Sequence, residues 1–187
     1  MANLFQQLEI EAFRAGITPR TKQSIEWFRK KASQLGKVSI PNIMDEPELT
    51  KSSRADTDAV GPIGNMYMFQ YDPKYRVSLP YYDAFPLVII TGARRGGFIG
   101  MNLHYLPPTL RAKLLDAILG NTGGAGLPRR FVEPTIHRYL NNHVRSQFAL
   151  VEKPEWEIAT FLPTAQWRKA PASTVYKESR MKVRALS

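Results

Sequence analysis

The sequence predicts an α+β fold, in which a small antiparallel sheet is flanked by helices and joined to an N-terminal helical hairpin and extended arms. Hydrophobic residues make up 43% of the 187 residues, which is enough for one core. Strand-like apolar runs cluster in the middle of the chain, and helical patterns surround them. The chain therefore divides into a hairpin (1–36), a linker (37–65), a core (66–163) and a basic tail (164–187).

The N-terminal hairpin is predicted from two amphipathic patterns, each of which ends at a glycine. Apolar residues recur at helical spacing over residues 2–15, and Gly16 follows as a stop. Thr18 then caps a second pattern that ends at Gly36. We therefore expect two helices joined by a short turn.

The linker is the clearest change of composition in the chain. Residues 37–65 are rich in proline, serine and acidic residues and show little hydrophobic periodicity. A long segment without regular structure is unusual inside a compact domain. We therefore expect the linker to lie along a partner or to separate the hairpin from the core.

Three strands are predicted at the start of the core. MYMFQY alternates in hydrophobicity, FPLVIIT is continuously apolar like a strand buried on both faces, and FIGMNLHYL is a third candidate. The intervening GARRGG supplies glycines for a turn. We therefore expect a β-hairpin that holds Arg94 and Arg95 at its tip.

Helices and one further strand are predicted after these strands. The run TLRAKLLDAIL has one apolar face, follows Pro108 and stops at Gly120. We expect a second helix to begin at Pro134 and to run through Val144. QFALV is expected to form a short strand, and PEWEIATFL a short helix with Pro154 near its start.

The charge of the chain indicates acidic partners. Its 26 lysines and arginines against 16 acidic residues give a net charge of +10, and half of this charge lies in residues 164–187. Nucleic acid or an acidic protein surface would match it. The residues that we expect to contact such a partner are Arg94, Arg95, Arg129, Arg130, Arg168, Lys169, Lys177, Arg180, Lys182 and Arg184.

A segment rich in proline and tyrosine, YDPKYRVSLPYYDAFPLVII, includes the most apolar strand at its end. Each proline lacks a backbone donor and favours an extended preceding residue, so we expect a stiff arm along the sheet edge. Rings beside basic residues are typical of single-stranded nucleic-acid grooves and of protein interfaces, although rings in strands also pack in cores. The rings that we expect at an interface are Tyr71, Tyr75, Tyr81 and Tyr82.

The sequence offers no persuasive catalytic, metal or cofactor site. It has no cysteine, and its three histidines, His104, His137 and His143, are not spaced as metal ligands. Asp72 and Asp83 lie in turn-like contexts, where aspartate commonly accepts backbone hydrogen bonds. Phosphate-loop, dinucleotide and nucleophile-elbow motifs are missing. We therefore expect no enzymatic activity, and a magnesium-dependent nuclease built on the two aspartates is the less favoured interpretation.

Neither secretion nor membrane insertion is predicted. Residues 1–16 carry acids where a signal peptide needs a basic start. The longest apolar run, FPLVII, is far too short to span a bilayer. The lack of cysteine is consistent with synthesis in a reducing cytosol.

The core sequence resembles a family of small proteins that contractile-tailed bacteriophages encode. The resemblance rests on LPYYDAFPL and GGFIGMNLHYLPPTLRAKLLDAI, followed by HRYLNNHVRS and FLPTAQW, and covers roughly residues 66–170. It implies a non-enzymatic virion component of the neck, tail or baseplate that is made in the host cytoplasm. One role associated with the family is protection of the DNA end. The implied partners are other virion proteins and the end of the genomic DNA, and no site residue is carried over.

Two functions stay open at this point. The favoured one is a virion structural protein that assembles in the tail, baseplate or neck through basic arms and an aromatic sheet edge. The alternative is a DNA-binding protein that caps or protects the packaged genome end. Salt separates the two, because phosphate contacts make affinity fall steeply with ionic strength.

Overall fold

The computed structural model describes five stretches of the chain, which are residues 10–17, 63–120, 126–146, 148–162 and 164–187. Most of the predicted linker (37–65) and most of the predicted N-terminal hairpin (1–36) lie outside them. Residues 10–14 are helical, and Gly16 follows with a φ of 67°, in the left-handed region that glycine adopts freely. The predicted stop of the first helix is therefore confirmed. Ala12 is buried, so this helix end packs against the core.

The strands of the described residues are, in chain order, β1 (Met66–Met68), β2 (Tyr82–Asp83), β3 (Leu87–Arg94), β4 (Gly97–Asn102), β5 (Ile136–Leu140), β6 (Ala149–Val151) and β7 (Trp167–Arg168). The main sheet has the order β5-β4-β3-β1-β6, and a second small sheet pairs β2 with β7. Every pairing is antiparallel. The predicted antiparallel sheet and α+β class are confirmed.

Strands β3 and β4 form the hairpin predicted around GARRGG. Arg94 pairs with Gly97, so that Arg95 and Gly96 make the turn, and Gly96 has a φ of 73°. The register shifts between Ile90 and Gly92, which marks a β-bulge within the hairpin. The two arginines therefore lie at the tip, as predicted.

Besides the helical residues 10–14, the described helices are α1 (Pro108–Gly120), α2 (Arg129–Val132), α3 (Trp156–Phe161) and α4 (Ala172–Ala185). Helix α1 confirms the helix predicted after Pro107 and Pro108, and α3 confirms the short helix predicted near Pro154. Short 3-10 turns join the main elements, and they are Leu103–Tyr105, Glu133–Thr135, Asn141–His143 and Lys153–Glu155.

The helix predicted from Pro134 to Val144 was wrong, because this segment forms a strand. Pro134 lies in a 3-10 turn, and β5 follows it directly. Within β5 the ring of Tyr139 is buried and the neighbouring Arg138 is exposed. This alternation has the period of a strand and outweighs the preference of proline for a helix start.

Each face of the main sheet has its own core. Met66 and Met68 point to the face covered by helices, where Leu114 and Trp156 are also buried. Tyr67 and the rings that accompany it point to the opposite face, which is dominated by aromatic residues. These buried rings are Tyr67, Phe69, Tyr71, Phe98 and Tyr139.

The predicted basic tail contains helix α4. Val175, Ser179 and Val183 recur every four residues and are buried, so one stripe of the helix packs on the core. The Arg111 guanidinium, buried in α1, donates to the Tyr176 hydroxyl at 2.7 Å. The basic residues of α4 are therefore held in fixed positions relative to the sheet.

Candidate nucleic-acid interface

A pocket of about 530 Å³ opens beside the proline- and tyrosine-rich segment. The four tyrosines that the sequence analysis places at an interface, Tyr71, Tyr75, Tyr81 and Tyr82, all line this pocket. Tyr71 is buried by the aromatic core, whereas Tyr75 is 64% exposed. We call this space the tyrosine pocket.

The outer wall of the tyrosine pocket is a turn and not the straight arm that the prolines suggested. Residues 74–78 turn back on themselves, and the backbone N–H of Arg76 donates to the Pro73 carbonyl at 3.1 Å. The Arg76 guanidinium also donates to both carboxylate oxygens of Asp72, at 3.1 and 3.0 Å. Tyr75 and Leu79 of this turn line the pocket. We call residues 73–80 the wall loop.

Lys169 holds the wall loop from the other end of the chain. Its ammonium donates to the carbonyls of Arg76 at 3.3 Å, of Val77 at 2.8 Å and of Leu79. The backbone of Lys169 has a φ of 71°, which non-glycine residues rarely adopt. This lysine was expected to contact a partner, but in the structure its charge is bound to backbone carbonyls.

Tyr81, which also lines the pocket, is joined to helix α4. The Tyr81 hydroxyl donates to Glu178 Oε2 at 2.6 Å, and burial followed by the effect of Glu178 raises the pKa of this tyrosine. One helical turn further on, Lys182 lines the pocket. The C-terminal helix thus brings a cation to the tyrosines.

Tyr105 and His137 also line the pocket. Their ring centroids are 3.9 Å apart, and the rings are tilted by 31°. Nε2 of His137 is buried and has no hydrogen-bond partner among the described residues. Burial lowers the pKa of His137 to about 4, against a smaller opposing effect of a hydrogen bond to the Pro134 backbone. His137 is therefore neutral at physiological pH.

A buried chain of hydrogen bonds lies behind the pocket. Nδ1 of His104 donates to Asp83 Oδ2 at 2.6 Å, and the Thr164 hydroxyl lies 3.2 Å from His104 Nε2. Asp83 Oδ1 also accepts the backbone N–H groups of Phe85 at 3.0 Å and of Gln166 at 2.9 Å. Backbone bonds of this kind were expected for Asp83. The aspartate thus connects β2, the 3-10 turn after β4 and the segment before β7.

The order of carboxylate, imidazole and hydroxyl resembles a proton relay, but its surroundings differ from those of a reactive site. Asp83, His104 and Thr164 are all buried. Burial alone would raise the pKa of Asp83, but His104 and two backbone N–H groups have a larger opposite effect. The pKa is therefore lowered overall, and the carboxylate stays ionised. Burial lowers the pKa of His104, so its ring is neutral. Because Asp83 is ionised and can only accept, the hydrogen of the neutral ring lies on Nδ1, which faces Asp83 Oδ2. Both carboxylate oxygens of Asp83 and both ring nitrogens of His104 therefore form hydrogen bonds inside the fold, which is a structural role.

The hairpin tip adjoins the tyrosine pocket. Arg94 and Arg95 are exposed at the tip, and the Arg138 guanidinium donates to the Arg95 carbonyl at 3.1 Å. Arg138 also lines the pocket. Two predicted contact residues are therefore connected to the pocket by an arginine that the sequence analysis did not single out.

The other predicted basic residues lie at three further places on the surface. Lys177, Arg180 and Arg184 are exposed on the face of α4 that points away from its buried stripe. Arg129 pairs with Glu133 at 2.9 Å, and Arg130 reaches the Ser187 hydroxyl at 3.5 Å, beside the end of α4. Arg168 is exposed in β7, opposite Tyr82. The structure thus brings Lys182 to the pocket and leaves the others outside it.

Several pocket residues were not predicted. No sequence pattern distinguishes Lys74 and Arg138 from other basic residues, and Tyr105 belongs to the predicted strand FIGMNLHYL. His137 was placed on a helix that does not form. The alternation in IHRYL was the one sequence signal that places His137 and Tyr139 on the same side of a strand.

Among the residues that the structure describes, no group of three or more histidine, aspartate or glutamate side chains is placed to hold a metal ion. In the same residues, no helix is long and apolar enough to cross a membrane.

The comparisons with known proteins give one family. The sequence matches the family described as the Phage T4 terminal DNA protecting protein over residues 6–127, which is about two thirds of the chain. The matched range contains β1 to β4, α1 and the wall loop, whereas β5 and α4 lie beyond it. No curated protein and no solved structure matches the chain. The chain therefore belongs to the family of the Phage T4 terminal DNA protecting protein.

Proposed function

We propose that this protein binds the ends of linear duplex DNA in a bacteriophage and shields them from nucleases. The observation that carries the proposal is the membership in a family described as terminal DNA protecting proteins. The family supports this role better than the tail or baseplate role that the sequence analysis favoured.

The charge distribution supports contact with DNA. Exposed cations occur at the hairpin tip, around the tyrosine pocket and along the outer face of α4. Phosphate contacts of this kind supply affinity that does not depend on base sequence, which suits a protein that has to bind any genome end. Because α4 packs on the core, these cations are positioned before binding, and less entropy is lost when DNA binds.

The protection acts by coverage and not by catalysis. The carboxylates that the sequence analysis considered for a nuclease are engaged elsewhere, since Asp83 is buried against His104 and Asp72 holds Arg76. A metal-dependent nuclease needs accessible carboxylates that converge on a metal. Neither aspartate meets this requirement.

The protein is carried in the virion after synthesis in the host cytoplasm, and it contacts other virion proteins there. Exposed apolar side chains support such contacts, because Phe13 is 84% exposed and Val77 of the wall loop is 88% exposed. Val77 lies beside the tyrosine pocket, so one neighbour of the DNA end is expected at this loop.

An end-directed digestion experiment tests the proposed function. A linear duplex with an internal restriction site is saturated with the protein and divided between an exonuclease and the matching restriction endonuclease. We expect digestion from the ends to slow at least about 10-fold while internal cleavage stays fast, because protection is confined to the ends. Equal slowing of both reactions would mean that the protein coats DNA, and unchanged digestion from the ends would contradict the proposal.

A further inference from the structure

We propose that the tyrosine pocket takes a single unpaired nucleotide from the end of the DNA. This inference rests on the proposed function and goes beyond it, since it assigns a site and a chemical form of the bound end. Three properties of the pocket, which are its rings, its charge and its size, are consistent with a nucleotide as its ligand.

The rings suit a planar base. Tyr75, at the mouth of the pocket, is 64% exposed, so much of its ring is free to contact a ligand. Tyr81, Tyr82 and Tyr105 line the same space. Stacking on such rings accepts every base, because each base has a π-face. A site of this kind therefore binds a genome end without reading its sequence.

The charge of the pocket suits a phosphate. Lys74, Arg138 and Lys182 all line it. The single acidic residue among its lining residues is Asp83, whose carboxylate accepts hydrogen bonds from His104, Asn102 and two backbone N–H groups. Glu178 lies nearby but accepts the Tyr81 hydroxyl. The net attraction is therefore for an anion, which excludes a neutral aromatic side chain as the best-matched ligand.

The size of the pocket is consistent with this ligand. Its volume of about 530 Å³ lies within the range of small-molecule sites, which is about 300 to 1,000 Å³. It is too small for a double helix. A base inside a duplex has to leave the stack to enter such a pocket, and this costs less for a terminal base that already pairs poorly. The pocket therefore provides a physical reason for preferring ends over internal DNA.

Photo-crosslinking combined with two matched variants tests the inference. Duplexes carry 5-iodouracil at the 3′ end, at the 5′ end or at an internal position, and crosslinked residues are mapped by mass spectrometry. The variants are Lys182→Gln in the pocket and Lys177→Gln on the outer face of the same helix, so each removes one charge from an exposed position of α4. Binding of a deoxynucleoside monophosphate is measured separately for each protein.

We expect a terminal label, and not the internal one, to crosslink to Tyr75 or Tyr82. Lys182→Gln should abolish measurable mononucleotide binding and reduce the preference for ends at least about 10-fold. Lys177→Gln, which removes a phosphate contact on the outer face of α4, should weaken binding to ends and to internal DNA equally, so that mononucleotide binding and the preference for ends stay the same. Tyr75→Ala, at an exposed position, should have the same effect as Lys182→Gln.

The contrary outcomes separate this inference from the proposed function. If the protein prefers ends but crosslinks map outside the pocket and both lysine variants behave alike, the pocket inference is overturned and the proposed function stands. If the wild-type protein shows no preference for ends, the proposed function fails. In that case saturable mononucleotide binding that Lys182→Gln removes would still support a nucleotide site, and its absence would overturn it.

Discussion

Arg111 of helix α1 joins several parts of the fold through its side chain. Its buried guanidinium donates to the carbonyls of Leu106 at 2.6 Å, Thr160 at 3.1 Å and His104 at 3.2 Å. A fourth bond, at 2.7 Å, reaches the Tyr176 hydroxyl of α4. Burial lowers the pKa of Arg111, yet arginine keeps its charge because its ordinary pKa is so high. The guanidinium therefore fixes α4, which carries Lys182, relative to the sheet.

Arg111→Lys should lower the free energy of unfolding by about 3 kcal/mol, because an ammonium cannot reach carbonyls on separate sides and leaves buried acceptors unpaired. Urea denaturation measures this loss. The control is Arg129→Lys on the surface, which should change the free energy of unfolding by less than about 0.5 kcal/mol. Equal effects of the two substitutions would contradict the role of Arg111.

The lowered pKa of the buried His137 should make the stability of the protein depend on pH. Burial lowers its pKa to about 4 in the folded protein, against about 6.5 in an unfolded chain. Between these values the unfolded state binds more protons, so the free energy of unfolding falls as the pH falls from about 6.5 to 4. The groups that influence His137 are Lys182, which lowers its pKa, and Asp83, which raises it, with Tyr105 stacked on its ring.

The contribution of His137 to this fall should reach up to about 3 kcal/mol. Chemical denaturation at pH 7.5 and pH 4.5 measures the fall for the wild-type protein and for His137→Gln, in which the titrating group is removed. The variant should lose less stability between the two pH values than the wild-type protein does. Identical losses would show that His137 does not titrate as described.

At the scale of elements, strand β4 depends on two close backbone approaches. A Cβ atom at Gly97 would lie 1.9 Å from the carbonyl oxygen of Tyr139 in β5. One at Gly100 would lie 2.2 Å from a methyl group of Val88 in β3. Glycine at these positions therefore allows β4 to pair on both sides.

Gly97→Ala should destabilise the protein by about 2 to 3 kcal/mol, because backbone atoms of β5 have to move to make room. Gly92→Ala is the matched control in the same hairpin, since a Cβ atom there meets nothing within 4 Å, and its effect should stay below about 1 kcal/mol. Thermal unfolding of both variants decides the comparison. A harmless Gly97→Ala would mean that β4 and β5 are spaced more widely than the structure shows.

The wall loop depends on Lys169. Lys169→Met keeps most of the side chain but removes the ammonium that binds the carbonyls of Arg76, Val77 and Leu79. Hydrogen exchange at residues 74–80 should become faster, while the free energy of unfolding should change by less than about 1 kcal/mol, because the loop is at the surface. Lys177→Met on the exposed face of α4 should leave this exchange unchanged. Unchanged exchange in Lys169→Met would show that the loop is held by other contacts.

The elements with clear periodicity were predicted correctly from the sequence. The β3–β4 hairpin, α1, α3 and the strand in QFALV all follow from apolar patterns and from nearby glycine or proline. The segment 134–144 was misjudged, because Pro134 fits a helix start locally while pairing with β4 decides the outcome. Local signals were insufficient wherever a distant strand provided the hydrogen bonds.

The pocket could be predicted only in part for the same reason. Four of its tyrosines (Tyr71, Tyr75, Tyr81 and Tyr82) and Lys182 were predicted as contact residues, since aromatic and basic clusters are visible in a sequence. His137, Tyr105 and Arg138 reach the pocket through strand pairing and helix packing, which a single sequence does not specify. The hydrogen bonds from Lys169 to the wall loop could likewise not be predicted, because their acceptors lie about 90 residues earlier in the chain.

At the scale of the whole molecule, charge and shape contribute differently to the proposed binding of DNA ends. The net charge of +10 attracts DNA over any surface that carries exposed lysine and arginine, including the outer face of α4. Such attraction does not distinguish an end from internal DNA. Discrimination therefore requires a site that an end enters more easily than internal DNA does, and the tyrosine pocket is the site that we propose for this role.

One measurement tests this account most directly. A relaxed closed circle is bound by the protein over a salt series, and the same circle is then cut once and measured again, so that the two DNA molecules differ only in having ends. We expect the linear form to bind at least about 10-fold more tightly at each salt concentration, and both affinities to fall as salt rises. Equal affinity for the two forms, or binding that does not depend on salt, would contradict the proposal that this protein recognises DNA ends.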